Sequence, residues 1–199
     1  MNLTDGIIKF NFQWLIKDLS EWDKLSELIY YRNLLAKGGS IGVYRNGISY
    51  GNISIRFNAS NKFIISGSGT GKIKVAGRKH FSLVSAADIK KNKIKCEGNT
   101  AASSESLTHY VIYKLSKSNN CVIHIHNLNL WKRLFNKVPT TSGDIPYGTP
   151  EMADEIKRLW KEMNLKNDNI FVMGGHEEGI VVFGKNLKDT YDLLMKYKN

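Results

Sequence analysis

Residues 121–127, Cys-Val-Ile-His-Ile-His-Asn (CVIHIHN), set two histidines one residue apart in an otherwise apolar run. The run reads as a strand, and in a strand alternate side chains share a face. His124 and His126 then point to one side and Ile123 and Ile125 to the other. At roughly 3.4 Å per residue the two histidines are about 7 Å apart along the chain, close enough for two imidazoles to converge on one ion. Taken alone, the pattern reads equally well as a metal site or as two half-exposed polar residues in a strand.

Upstream of this strand, residues 40–99 alternate short β-rich segments (ISYGNISIRF, KFIISGSG, HFSLVS, KIKCEG) with Gly, Asn and Lys, as antiparallel strands and turns do. Helices bracket and interrupt them. From Ser20 to Lys37, Trp22, Leu25, Leu28, Ile29 and Leu35 recur at helical spacing, with Ser20 placed to cap the start and Gly38-Gly39 to end it. A second helix is expected from about Ser104 to Ser116. A third starts at Thr149-Pro150-Glu151, which offers a hydroxyl cap, a first-turn proline and an acid, and runs to about Met163. NIFVMGG and GIVVFG read as two further strands, and a helix from about Leu187 to Tyr197 follows. This order favours an α/β fold with helices covering a mostly antiparallel sheet over a doubly wound parallel one.

The 199 residues carry neither a proline-rich nor a glycine/serine-rich linker, so one domain over 1–199 is expected. Hydrophobic residues are 42% and charged ones 24%, which places the chain among soluble globular proteins and outside the disordered class. No apolar run approaches bilayer length, and the first residues show no cleavable leader pattern; the expectation is a cytoplasmic protein with no membrane partner. Cys96 and Cys121 have no CxxC spacing and read as reduced structural thiols. The formal charge of +11 favours anionic partners. Its Lys and Arg are scattered, without a run of five, an RNP-like motif or a zinc finger, which favours a small phosphorylated ligand over nucleic acid.

A metal needs a third ligand, and His80, His109 and His176 remain. His176 follows Gly174-Gly175 at the end of an apolar strand, where glycine lets backbone approach another group closely. His80 sits in the basic patch GRKH, with solvation the expected fate. His109 lies four residues after Glu105 on the second helix and reads as a core or supporting histidine. Three imidazoles would leave a metal with an open position, the arrangement of a catalytic site, and Glu105 in ASSESLTH is the candidate base. Glu105 reads equally as a first-turn acid complementing the helix dipole.

Anions bind where backbone N–H groups and hydroxyls converge. Three stretches offer this: Gly51-Asn52-Ile53-Ser54, Ser66 to Gly71, and Ser103-Ser104. The middle one lacks the Gly-Lys-[Ser/Thr] ending of a P-loop.

Taken together, GNISIRF, FIISGSGTG, SSESLTH, HIHN, PYGTPEMA and GGHEEGI resemble, in order and spacing, the motifs of the class II aldolase/adducin family over residues 25–195. The resemblance implies a three-layer α/β/α sandwich around a largely antiparallel sheet, assembled as a homotetramer. It implies that His124, His126 and His176 hold Zn2+ or another divalent transition metal and that Glu105 is the catalytic acid/base. It further implies that Asn52, Ser68, Gly69, Ser103 and Ser104 hold the substrate phosphate. The implied reaction is cleavage of a ketose 1-phosphate, of the fuculose 1-phosphate kind, to dihydroxyacetone phosphate and an aldehyde through a metal-stabilised enediolate.

Two departures accompany the resemblance. Glu177-Glu178 follow the third histidine, where many members have glycine, so the metal environment is expected to be more negative or to gain a fourth ligand. A C-terminal tyrosine handles the proton of the aldehyde oxygen in the aldolase; here Tyr191 and Tyr197 are available, with core packing the expected role of each. The same scaffold supports methylthioribulose 1-phosphate dehydration, sugar-phosphate 4-epimerisation and decarboxylation, and adducin-like relatives are structural proteins. Retention of all three histidines and Glu105 favours an enzyme, and the absence of epimerase-type additions favours the aldolase.

Overall fold

The computed structural model describes residues 11–19, 22, 24–58 and 60–199. The first half of the chain contains β1 (Asn11–Leu15), α1 (Leu25–Lys37), β2 (Gly42–Val43), β3 (Ser49–Tyr50), β4 (Asn52–Arg56), β5 (Phe63–Ser66), β6 (Phe81–Asp88) and β7 (Lys93–Gly98). It continues with α2 (Ser106–Leu115), β8 (Cys121–His126), α3 (Leu128–Leu134), α4 (Pro150–Glu162), α5 (Leu165–Asp168), β9 (Ile170–Val172), β10 (Gly179–Gly184) and α6 (Leu187–Lys198). Eight strands form one sheet in the order β1-β7-β6-β5-β4-β8-β10-β9, and β2 pairs with β3 in a separate hairpin. All neighbours in the large sheet are antiparallel except β1 and β7.

Both faces of the central strands are covered. On one, α2 and α4 bring Leu107, Val111, Ile112, Met152, Ile156 and Leu159 against Phe63, Ile65, Val122, Phe171 and Val181. On the other, α1, α3 and α6 bring Leu25, Leu28, Leu130, Leu187 and Leu194 against Ile53, Ile55, Ile123, Ile125, Ile180 and Val182. The strand residues divide by alternation, so central strands covered on both sides become almost continuously apolar. Burying each large aliphatic side chain is worth about 1.5–3 kcal/mol, which makes these two layers the main source of stability. The result is the expected α/β/α sandwich with a largely antiparallel sheet. Among the described residues no helix is long and apolar enough to cross a membrane.

Local chemistry sets the elements near the site. Thr149 caps α4 by accepting from Met152 N, and Pro150 occupies its first turn, as expected. Arg56 at the end of β4 is buried, its guanidinium donating to the carbonyls of Tyr113, Ser116 and Asn119. A cation on those carbonyls anchors the C-terminal end of α2 to the sheet. With that end fixed, the opposite end of α2 is held over β8.

Some boundaries differ from expectation. The helix expected from Ser20 begins at Leu25, and Ser20 itself lies outside the described residues; its predicted end at Gly38-Gly39 is where α1 stops. The helix expected from Ser104 begins at Ser106, because Ser103 and Ser104 form the turn leading into it. Strand β1 and helix α3 are among the elements that were not anticipated. Strand β1 is exposed along its length and carries no alternation against a core. Helix α3 follows CVIHIHN directly, started by Asn127, whose side chain accepts from Leu130 N at 2.9 Å.

Candidate active site

Strand β8 lies between β4 and β10, with His124 opposite Asn52 on one side and Val181 on the other. Its alternation sends Cys121, Ile123 and Ile125 into the α1/α3/α6 layer and leaves His124 and His126 on the opposite face. The histidines are not half-exposed: His124 is fully buried and His126 is 5% exposed. His176, in the turn after β9, joins them. Ring centroids lie 5.0 Å (His124–His126), 5.4 Å (His124–His176) and 4.6 Å (His126–His176) apart. One nitrogen from each ring lies within 4.8 Å of the others, close enough for a single ion to bridge all three.

The glycine pair before His176 accounts for its placement. A Cβ on Gly174 would collide with the carbonyl oxygen of Thr141, and one on Gly175 with that of Ile145. The turn therefore presses against the 141–145 loop, and Gly174 N donates to Thr141 Oγ1 at 2.9 Å. From the other side, Trp131 on α3 donates its indole N–H to Met173 O at 3.0 Å. Tyr147 stacks on the His176 ring, centroids 4.5 Å apart.

Burial, reinforced by the neighbouring His126 and His176, pushes the His124 imidazole well below its ordinary pKa, so it is neutral. A neutral imidazole is the form that binds a metal. Among the described residues, neither His124 ring nitrogen has a hydrogen-bond partner, although both are buried. An orphaned donor and acceptor at the centre of a three-histidine cluster fit a divalent cation, whose coordination offsets their desolvation.

Glu105 stands at the N-terminal end of α2, 3% exposed, where its side chain makes no capping bond. Its carboxylate turns toward the histidines: Oε1 lies 3.5 Å from His176 Nδ1 and Oε2 4.0 Å from His124 Nδ1. Thr108 Oγ1 donates to Oε2 at 3.1 Å and holds the group in this orientation. The capping work falls instead to Ser103, whose Oγ accepts from Glu105 N.

Asn52, Ser68, Gly69, Ser103 and Ser104 line the same pocket as Glu105 and the three histidines. The three glycine- and serine-bearing stretches thus meet at one place. Not every residue in them faces it: the Ser54 hydroxyl lies between His109 Nδ1 (2.7 Å) and the Tyr113 hydroxyl (2.6 Å) in the core beneath. The pocket wall also includes Thr70 and Gly71 from the Ser66–Gly71 stretch, and Ser49 and Tyr50, which sequence reasoning missed. The only sequence signal of Ser49 and Tyr50 was proximity to the GN stretch.

The remaining histidines stay outside the cluster. His109 is fully buried against Ser54, and burial drives its pKa down to about 3. His80 is partly exposed, its Nδ1 accepting from Gly77 N. Tyr191 packs beside Tyr31, and both Tyr191 and Tyr197 adjoin the α1/α3/α6 layer. Glu178 is not one of the convergent ligands; its Oε2 accepts from the Tyr44 hydroxyl at 2.6 Å, beside His126.

The sequence model for the class II aldolase and adducin N-terminal domain matches residues 45–199. No curated protein matches the chain by sequence. Among solved structures, an L-fuculose 1-phosphate aldolase is similar, with TM-score 0.66 and 19% identity over 91% of this chain and 84% of that one. The L-fuculose-1-phosphate aldolase of Thermus thermophilus gives TM-score 0.57 and 18% identity over 87% and 85%. An aldolase II superfamily protein of Pseudomonas syringae gives 0.60 and 12% over 90% and 74%. At these identities the likeness is one of fold.

Proposed function

Because the chain belongs to the class II aldolase and adducin N-terminal domain family, we propose that it is a metal-dependent carbon–carbon lyase. Its substrate in this reading is a ketose 1-phosphate of the fuculose 1-phosphate kind, and its products are dihydroxyacetone phosphate and an aldehyde. The observation that carries the proposal is the buried carboxylate of Glu105 set against three convergent histidines, in a pocket whose other walls are glycine- and serine-bearing turns.

His124, His126 and His176 would hold the ion, zinc being the first choice and other divalent transition metals acceptable to imidazole. Once bound, such an ion supplies Lewis-acid stabilisation of the negative charge that develops on the carbonyl side as the carbon–carbon bond breaks. Glu105 moves the proton. In cleavage the substrate hydroxyl that becomes the aldehyde gives up its proton to solvent, and Glu105 delivers one to the carbon that becomes the hydroxymethyl carbon of dihydroxyacetone phosphate; in condensation both transfers run in reverse. Thr108 keeps the carboxylate aimed at the cluster for both directions. The Ser103-Ser104 turn at the start of α2, with Asn52 and the Ser68-Gly69 turn, receives the phosphate, where a helix N-terminus favours negative charge. Assembly as a homotetramer is part of the same reading.

The test is turnover by metal-loaded protein of a panel comprising ketose 1-phosphates, 4-epimerisable pentose 5-phosphates and methylthioribulose 1-phosphate. Release of dihydroxyacetone phosphate from a ketose 1-phosphate is the expected result. Turnover only of a pentose phosphate or of methylthioribulose phosphate would replace the lyase with an epimerase or dehydratase on the same site.

A further inference from the structure

The hairpin made by β2 and β3 brings two tyrosines onto His126. Tyr50 stacks on its ring, with centroids 5.4 Å apart and planes inclined by 28°. Tyr44 packs on Tyr50 at 4.5 Å and puts its hydroxyl 2.7 Å from His126 Nδ1. The same hydroxyl donates to Glu178 Oε2 at 2.6 Å. A phenol has one proton, and an ionised carboxylate can only accept. With that proton committed to Glu178, the Tyr44 oxygen is an acceptor toward His126, and Nδ1 must carry the hydrogen. The neutral ring then has its lone pair on Nε2.

We propose that Tyr44 and Glu178 are positioning residues of the metal centre: a carboxylate–tyrosine–histidine relay that fixes the His126 tautomer and ring plane so that Nε2 is presented to the ion. The inference rests on the metal-site reading above and assigns roles to two residues outside it. Metal-bound histidines are commonly oriented in this way by an acceptor on the second ring nitrogen, which also raises the basicity of the ligating one.

Three further observations tie the relay into the fold. Glu178 holds a left-handed backbone conformation (φ 71°), which is costly for a residue with a Cβ and persists where surrounding contacts enforce it. Those contacts include Asn127 N donating to Glu178 O at 3.0 Å, and Gly179 paired directly with His126 across the sheet. Tyr44 is held by the hairpin turn, its N–H donating to Ile48 O at 2.8 Å and its carbonyl accepting from Gly47 N at 2.9 Å. The hairpin also leans on the phosphate side of the pocket, because a Cβ on Gly71 would strike the carbonyl oxygen of Gly42. One short hairpin therefore touches both the metal cluster and the anion-binding turns. Glu178 answers the departure from the family's glycine in this turn: it serves His126 from beside Nδ1 instead of adding a fourth ligand.

Zinc affinity measured by competition with a chromophoric chelator, on metal-free wild type, Tyr44→Phe, Glu178→Ala and Glu178→Gln, tests the relay. Tyr44→Phe and Glu178→Ala are expected to bind zinc about 10–100-fold more weakly, the cost of losing such a partner. Glu178→Gln is expected to stay nearer wild type, because its amide oxygen still accepts the Tyr44 proton. The visible absorption of the cobalt-loaded protein should shift in Tyr44→Phe, while the melting temperature of the metal-free form stays put. If all three variants bind zinc within about twofold of wild type while His124→Ala does not bind it, the relay is overturned and the site stands. Wild type that takes up no zinc overturns both.

Discussion

The two faces of β8 share a backbone and differ in everything else. One face, Cys121, Ile123 and Ile125, is fully buried among α1, α3 and α6, where the isoleucines offer only packing and the Cys121 thiol meets the Thr190 hydroxyl at 2.9 Å. The other carries His124 and His126, equally shielded from water, yet leaves both nitrogens of His124 without a partner among the described residues. Burial of an apolar side chain lowers the free energy of the fold, whereas burial of an unpartnered imidazole raises it. The first face is what a strand needs in order to exist at the centre of a sheet. The second is a cost that a bound ion would offset, so the same strand separates stability from chemistry residue by residue.

That separation can be broken deliberately. The largest effect is expected from His124→Ala: zinc affinity should fall by more than the roughly 100-fold that loss of an outer partner costs, with turnover abolished. The metal-free protein should keep its stability to within about 1 kcal/mol, since lost packing is set against relief of a desolvated polar group. Isothermal titration with zinc and urea unfolding measure the two quantities. Glu105→Gln should leave zinc binding intact and lower kcat by about 10²–10⁴-fold, the range for a lost general acid/base; steady-state assay with metal analysis of the same sample checks it. Ile123→Ala on the opposite face should do the reverse, costing about 2–5 kcal/mol in urea unfolding while the folded fraction binds zinc normally.

The smallest effect concerns the buried polar layer below the site. His109 has its folded pKa pushed to about 3 by burial, so between that value and its ordinary value near 6.5 the unfolded chain binds a proton that the folded chain refuses. Stability is therefore complete above about pH 6.5 and declines as the pH falls, by up to about 1.4 kcal/mol per unit from this group. Between pH 7 and pH 5 metal-free wild type should lose about 2 kcal/mol through His109, and His109→Gln should lose correspondingly less. Urea unfolding at the two pH values reads the difference.

The apolar face and the cluster were both readable in the residues, for different reasons. Helical periodicity located α1 and strand alternation β8, because patterned segments are set by their own composition, and the start signal Thr149-Pro150-Glu151 located α4. The Gly174-Gly175 pair pointed to His176, and its physical reason is the contact with the Thr141 and Ile145 carbonyls. Strand β1 escaped notice because it pairs along an edge with no buried face to impose alternation. Helix α3 escaped because Asn127, read as the end of the strand, is its cap. Tyr44, Tyr50 and Tyr147 belong to the site only through tertiary approach: Tyr44 and Tyr50 are more than 70 residues from the histidine they contact, and Tyr147 reaches His176 from a loop. Glu178 stood out in the sequence as a departure beside the third histidine, but its bond to Tyr44 spans 134 positions.

The central claim is that the polar face of β8, completed by His176, is a metal site. Calorimetric titration of metal-free wild-type protein with zinc tests it most directly. The account predicts a single saturable site per chain with a stoichiometry of about one. A folded protein that shows no saturable zinc binding, or that binds equally well after His124→Ala, would contradict it.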